Sequence, residues 1–283
     1  MLTAASDREQ APACAFPVAE NLCPVVSNDW VNPEYKLLIV EAGAIALAAR
    51  AGQFFHLMCP PDGGKENFLR RPMSINRIDM VRGHLHFLYK VQGSGTRGLA
   101  TLRRGATLDA LGPLGTGFTL PKGTRHMLMA GRGVGLATLG PLAELAIDSG
   151  AKVSAILSAR SAALVMGDTM LGDVRADVYV VTDDRSDSDI VSVEALIRRI
   201  HAETPIDYFT TCGSNRLLML QQRLAAEFDA AGEIALEQRM GCALGMCFAC
   251  VRAFRTTPGS DELTYRRVCW DGPVFDIRET VSW

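Results

Sequence analysis

The spacing of apolar and polar positions changes once along the chain. From Val18 to Phe118, the short β-type runs YKLLIVEA, GQFFHLMC, HLHFLYKV and ATLDALGPLG are separated by turns rich in Gly, Pro, Asn and Asp. Short strands at such regular intervals predict an antiparallel barrel or sandwich. After LPKGTR the rhythm differs. A compact apolar run, HMLMA, leads into the glycine-rich turn GRGVG and a helix-like stretch, LATLGPLAELAIDSG, closed by Gly150. KVSAILSA, DVYVVTDD and DYFTTCG then repeat the strand signal with helical patterns between them. Strands alternating with helices predict a parallel sheet, so the chain divides near Pro121 to Thr124 into an all-β half and an α/β half.

Composition narrows the function classes without naming one. The 283 residues are 48% hydrophobic and 21% charged, enough to bury sizeable cores in two domains and a small appendage. A net charge of -2 with no dense Lys/Arg stripe gives no footprint for nucleic acid or an anionic membrane, which leaves small-molecule or protein partners. The most apolar stretch, Leu128 to Ile147, is interrupted by Gly131, Arg132, Gly133, Gly135, Pro141 and Glu144, so no membrane span is expected. Residues 1–16 read as a polar lead-in without the basic start and apolar core of a secretory signal, and a cytoplasmic protein is expected. In that compartment eight cysteines are not disulfides, and clustered ones imply metal or redox work.

Cys14, Cys23, Cys59 and Cys212 are scattered and read as buried small hydrophobes. Cys242, Cys247 and Cys250 form C-x4-C-x2-C with Cys269 farther on, the spacing of a plant-type [2Fe-2S] site. Two ferric ions bridged by sulfide need four thiolates. A loop containing Gly241, Ala243, Gly245 and Ala249 can wrap closely while its amides point at the sulfurs. The fourth thiolate lies in YRRVCWDGPVF, which reads as a strand ending in an Asp-Gly turn. Structural zinc is the competing reading, but zinc ribbons favour paired C-x2-C knuckles and only one such pair is present.

An electron-transfer centre needs a second redox group, and two stretches of the β half offer a place for one. In RRPMSINRI, an arginine beside a proline-fixed strand and a serine hydroxyl present a charged fork and a hydrogen-bonding group to a phosphate, while extended backbone lies along a flat ring. In KVQGSGTRG, glycines 93, 95 and 98 with Thr96 suit close backbone approach to a pyrophosphate. An edge strand and a turn explain either stretch taken alone.

Their order is more informative. Arg-Pro-x-Ser, the Gly-Ser-Gly-Thr loop, GPLGTGF, a glycine-rich βα turn, TCGS and a terminal four-cysteine set together resemble the ferredoxin-reductase superfamily. Within it they resemble the electron-transfer subunits of type B dihydroorotate dehydrogenase, from about Pro17 to Phe275. The resemblance implies a Greek-key antiparallel β-barrel binding FAD over 17–121, an NAD-binding-like α/β domain over 122–232 and a [2Fe-2S] module over 233–283. It implies FAD along Arg71, Pro72, Met73 and Ser74, with Leu88, Tyr89 and Lys90 at the ring or ribityl region and Gly95 and Thr96 at the pyrophosphate. The cluster would sit on Cys242, Cys247, Cys250 and Cys269, and NADH or NADPH would meet the turn of Gly131, Gly133 and Gly135. The implied activity is electron transfer between NAD(P)H, flavin and cluster, to or from a separate, FMN-containing catalytic subunit in a hetero-oligomer. Only a flavin mediates between a two-electron nicotinamide and a one-electron cluster.

The nicotinamide half departs from the family pattern. Arg132 stands where a glycine is usual, no proline stands near Ala137 or Thr138, Ser214 and Asn215 replace a customary Gly-Pro, and VTDDRSDSD lacks a glycine after TDD. Nicotinamide use and the direction of electron flow are therefore open. Arg160 faces either an adenosine phosphate or solvent. His84 and His86 share a strand face without a third ligand and are expected to be exposed, and TDDRSDSD is expected to be a solvated loop. Two other readings stand beside this one: the reductase subunit of another complex, such as a hydrogenase or sulfite reductase, and a flavin and iron–sulfur redox sensor without turnover.

Overall fold

The structure is a computed structural model that describes residues 18–283; Cys14 and the lead-in lie outside the described residues. The first half forms one antiparallel sheet from β1 (Ala19–Trp30), β2 (Tyr35–Glu41), β3 (Phe54–Leu57), β4 (Arg71–Ser74), β5 (Arg77–Asp79), β6 (His84–Lys90) and β7 (Thr107–Leu114). The strand order is β4-β3-β7-β1-β2-β6-β5. The two edge strands, β4 and β5, are consecutive in the chain, so the sheet must roll to bring its edges together. The amide of Asn76 between them donates to the carbonyl of His86 on β6 at 2.8 Å. The period-two pattern puts Leu38, Val40, Phe55, Leu57, Leu85, Phe87 and Leu108 inside the roll, with Phe55 and Phe87 edge to face at 5.7 Å. Two short helices, α1 (Ala44–Leu47) and α2 (Ser94–Ala100), lie in its connections.

The second half is a parallel sheet of β8 (His126–Arg132), β9 (Lys152–Ala159), β10 (Asp177–Thr182), β11 (Tyr208–Cys212) and β12 (Ala231–Ala235), in the order β10-β9-β8-β11-β12. Strands covered on both faces read as unbroken apolar runs, and in β8 every residue from His126 to Gly131 is buried. The connecting helices are α3 (Gly140–Asp148), α4 (Asp168–Asp173), α5 (Ile190–Glu203) and α6 (Asn215–Glu227). Asp189 caps α5 by accepting from the amides of Val191 and Ser192 at 2.9 and 3.0 Å, and the helix buries Val193, Ile197 and Ile200 along one stripe. The stretch expected as one helix after the glycine turn is two pieces. Gly133–Thr138 coils as a 3-10 turn, and α3 begins only at Gly140, with Pro141 in its first turn.

The cysteine segment contributes a hairpin, β13 (Val251–Arg255) with β14 (Leu263–Arg267), and a last strand, β15 (Val274–Asp276). β15 returns to pair antiparallel with β12, Ile234 opposite Phe275. The boundary expected at 232/233 thus falls inside a strand of the parallel sheet. One core joins all three parts: Phe54 and Leu114 from the rolled sheet, Leu218 and Ile234 from the α/β half, and Phe254, Val268, Cys269 and Phe275 from the cysteine segment.

Cys23, Cys59 and Cys212 are buried, as expected. His84 and His86 are not exposed but half-buried, and burial together with the charge of Arg77 pushes His86 down to about 4. No helix among the described residues is long and apolar enough to cross a membrane.

Candidate functional site

A cleft of about 920 Å³ opens where the three parts meet. Its wall takes in Arg71, Pro72, Met73 and Ser74 of β4, Leu88, Tyr89 and Lys90 at the end of β6, and Gly95 and Thr96 at the start of α2. The nine residues to which a flavin role was given therefore line one space. Strand alternation sorts their side chains. Leu88 packs outward with Tyr35 against Ala137 and Met166 of the α/β half. Tyr89 turns its ring into the barrel core, where its hydroxyl donates to Asn28 at 2.9 Å, so it offers the cleft backbone.

The adjacent arginines have different fates. Arg70 is held by both oxygens of Asp109, at 2.7 and 2.6 Å, and by Glu20 at 3.0 Å. Arg71 donates only to the carbonyls of Leu69 and Arg70, and among the described residues no carboxylate pairs with it. Its guanidinium lies over Gly95, where an added Cβ would stand 2.7 Å from Nε, so glycine is required for the arginine to sit there. Thr96 accepts from the amides of Gln92 and Gly93 at 3.0 and 3.1 Å, which fixes the turn. The first amides of a helix lack acceptors within it, and those of α2 begin on the cleft wall. Lys90 is paired with Glu34 at 2.9 Å, and the same carboxylate takes Arg160 from the α/β half. Arg160 is thus part of a bridge between domains.

Sequence reading missed the wall contributed by Leu236, Glu237, Gln238, Arg239 and Met240, and by Val134 and Ala137. Adjacency to Cys242 was the one available signal for the first group.

Below that wall the four clustered cysteines come together in two pairs. The Cys242 sulfur accepts from the amides of Leu244 at 3.3 Å and Cys247 at 3.4 Å, and the Cys247 thiol is its side-chain partner. The Cys250 sulfur accepts from the amide of Cys269 at 3.4 Å, and the two thiols are hydrogen-bonded. Burial pushes Cys242 up, but the surrounding donors outweigh it and bring the thiol down to about 7. Burial, with Cys250 beside it, pushes Cys269 up to about 12. Cys269 lies on a turn, since β14 ends at Arg267. Gly245 takes φ +76 where a Cβ would press on Trp270 at 3.0 Å, and Arg267 donates to its carbonyl at 3.2 Å. No group of three donors gathers around one point among the described residues. Four thiols in two neighbouring pairs are a donor set of the kind that iron–sulfur clusters take.

Gly131, Gly133 and Gly135 do not line the cleft. Gly135 lets the turn after β8 lie against the end of β11, where a Cβ would stand 2.5 Å from the carbonyl oxygen of Cys212, while Gly131 faces Leu136 and Gly133 the Tyr35 hydroxyl. Arg132 crosses the ends of the neighbouring strands. It donates to Ser158 of β9 at 2.8 Å and to both oxygens of Asp183, just past β10, at 3.1 and 2.6 Å. Asp183 also accepts from Ser188, and Asp187 accepts from the amide of Thr182 at 2.5 Å. The TDDRSDSD segment is largely exposed, as expected, but its first carboxylate is tied to Arg132 and Ser188.

Comparison with known proteins agrees with this anatomy. A family model described as the iron-sulfur cluster binding domain of dihydroorotate dehydrogenase B matches residues 237–281. Solved structures share the fold over most of the chain. A structure of NADH-dependent reduced ferredoxin-NADP oxidoreductase superposes with a TM-score of 0.74 at 24% identity, over 91% of this chain and 89% of that one. Ferredoxin-NADP+ reductase from Plasmodium falciparum superposes with a TM-score of 0.56 at 12% identity, over 77% and 95%. Rolled sheet, parallel sheet and cysteine segment thus define a ferredoxin reductase-like protein with an iron–sulfur cluster binding domain. Among curated proteins, the electron transfer subunit of dihydroorotate dehydrogenase B (NAD(+)) from Streptococcus pneumoniae is 34% identical over 89% of this chain and 94% of its own length. The subunit of the same description from Shouchella clausii is 32% identical over 91% and 96%. The chain belongs to the family of dihydroorotate dehydrogenase B electron transfer subunits.

Proposed function

We propose that this chain carries electrons between a nicotinamide nucleotide, an FAD in the cleft and a [2Fe-2S] cluster on Cys242, Cys247, Cys250 and Cys269, for a separate catalytic subunit acting on dihydroorotate. The observation that carries the reading is the shared wall. Met240 lines the cleft and Cys242 follows two residues later, so their Cα atoms are at most about 7 Å apart. The cleft volume lies within the range of cofactor sites, and Arg71 without a carboxylate, Gly95 beneath it and the turn at Thr96 fit a dinucleotide phosphate. Bound there, FAD supplies the exchange between two-electron and one-electron carriers.

The chain's own work is placement. Arg71 and the α2 amides would hold the phosphates of a bound FAD. β4 backbone would support its ring. Leu88, packed on Ala137, excludes water between the domains. The amides aimed at Cys242 stabilise the thiolate that a metal requires, and the charge of Arg267 sits beside Cys250 and Cys269. The descriptions of the curated relatives support the partner and the NAD link.

Anaerobic titration of the purified protein with NADH and then NADPH, followed by visible absorption and EPR, tests the reading. Flavin bleaching followed by the signal of a reduced [2Fe-2S] cluster is expected. A colourless protein containing zinc would overturn it.

A further inference from the structure

In an open parallel sheet, ligands bind outside the carboxyl ends of the strands where the strand order reverses, and the ribose of a dinucleotide meets the end of the second strand. Here the reversal lies between β8 and β11, and the second strand is β9. The β8/β11 side of that crevice is shaped by close backbone contact, Gly135 against Cys212 and Gly213. The β9/β10 side is filled. Arg132 extends from the end of β8 across β9 to β10, with Ser158 and Asp183 as its anchors and Ser188 fixing Asp183 from behind.

The Arg132 side chain is 22% exposed, and its guanidinium lies against Ser158 at the end of β9, the strand end that a dinucleotide ribose would meet. Beside it a cavity of about 380 Å³ is lined by Asp183, Ser186, Ser188, Asp189 and Arg216. Asp189 is committed to capping α5 and Asp183 to Arg132. A phosphate entering this cavity therefore meets Arg216, but also the carboxylates of Asp183 and Asp189, and an Arg132 already paired with Asp183.

We propose that the Arg132–Asp183 pair is a latch that closes the adenosine half of the dinucleotide crevice, so that pyridine nucleotides bind only when the pair opens. The inference rests on the reading that the α/β half is the nicotinamide nucleotide domain. It assigns a gating role to Arg132, and it makes Asp183 the residue that holds the gate shut.

The test is calorimetric binding of ADP-ribose, which carries adenosine and pyrophosphate but no redox chemistry, to the flavin- and cluster-loaded protein. Wild type is compared with Asp183→Asn and with the double variant Arg132→Ala/Asp183→Asn. Both variants are expected to bind at least ten-fold more tightly than wild type, with unchanged flavin and cluster absorption. Equal affinity in all three overturns the latch. So does tightening in Asp183→Asn that is lost in the double variant, since Arg132 would then be a phosphate ligand. Should the double variant fail to fold, Asp183→Asn alone decides, equal affinity again overturning the latch. Rapid mixing with NADH separates this inference from the one beneath it. Tighter ADP-ribose with no flavin bleaching in any protein would leave the latch standing and remove nicotinamide as donor. Bleaching in wild type with no change in ADP-ribose affinity would do the reverse.

Discussion

Replacing Arg71 with alanine separates binding from folding. Arg71 reaches only backbone carbonyls, so its loss leaves no buried carboxylate unpaired, and the stability change is expected to stay within about 0.5 kcal/mol. A charge-assisted hydrogen bond to a flavin phosphate contributes about 1.5 to 3 kcal/mol. At 1.4 kcal/mol per decade, FAD should bind roughly 10- to 150-fold more weakly. Titrating apoprotein with FAD by flavin fluorescence measures this directly. Arg70→Ala is the internal contrast. It strips Asp109 of its bidentate partner and is expected to lower unfolding stability by about 1 to 3 kcal/mol while changing FAD affinity less. Gly95→Ala provides a third arm, because the new methyl collides with the flexible end of Arg71 and should displace it, weakening FAD with little effect on stability. Unaltered FAD affinity in Arg71→Ala, or a larger binding loss in Arg70→Ala at unchanged stability, would refute the assignment.

Three further outcomes follow from other parts of the molecule. Cys247→Ser should abolish the cluster's visible and EPR signals while flavin content stays near one per chain, since the cleft wall is mostly barrel; joint loss of flavin and iron would contradict this. Gly135→Ala forces a methyl against the Cys212 carbonyl and should lower the urea unfolding free energy by about 1 to 3 kcal/mol, a result that an unchanged midpoint would negate. His56 and His86 are each held at about 4, chiefly by burial, whereas the unfolded chain protonates near 6.5. Their stabilisation is complete above about pH 6.5 and is lost as the pH falls toward 4, with a slope of up to about 1.4 kcal/mol per pH unit for each histidine. Urea midpoints at pH 7, 6 and 5 measure it, and a flat profile over that range would rule it out. Asp79 and Asp183, held at about 2 by hydrogen bonds from Arg82 and Arg132 respectively, act only below this window.

The rhythm of apolar residues was enough to place both sheets, because period-two runs and unbroken apolar runs report directly how many faces of a strand are covered. The cysteine spacing was legible for a similar reason, as a tight loop brings nearby ligands together whatever surrounds it. What escaped was set by contacts distant in sequence. Nothing in TDDRSDSD announces that Arg132 lies above it, and nothing in the short run after β12 shows that it lines a cleft. His86 read as exposed because strand alternation tells which face a residue shares, not whether neighbours such as Arg77, opposite it on β5, lie against it. Arg160 was ambiguous until Glu34, 126 positions away, supplied its partner.

How the cysteine segment is attached bears on how the molecule can move. The chain leaves the parallel sheet at the end of β12, lines the cleft, forms the cysteine loop and hairpin, and returns as β15 beside the strand it left. Departure and return on adjacent strands fix the loop to the α/β half, and Phe275 buried opposite Ile234 locks that register. The amide of Thr116, on the segment leaving the barrel, donates to the carbonyl of Gly272 at 2.6 Å, which pins the same turn to the barrel side. By contrast, the barrel meets the turn after β8 through a small apolar contact at Tyr35 and Leu88 and through the ionic bridge of Glu34 with Lys90 and Arg160. Exposed ion pairs are weak constraints. Opening of the nucleotide crevice should therefore move this Glu34 side of the domain interface and leave the distance from cleft to cysteines unchanged, so that access of the donor and passage of the electron are controlled by different parts of the fold.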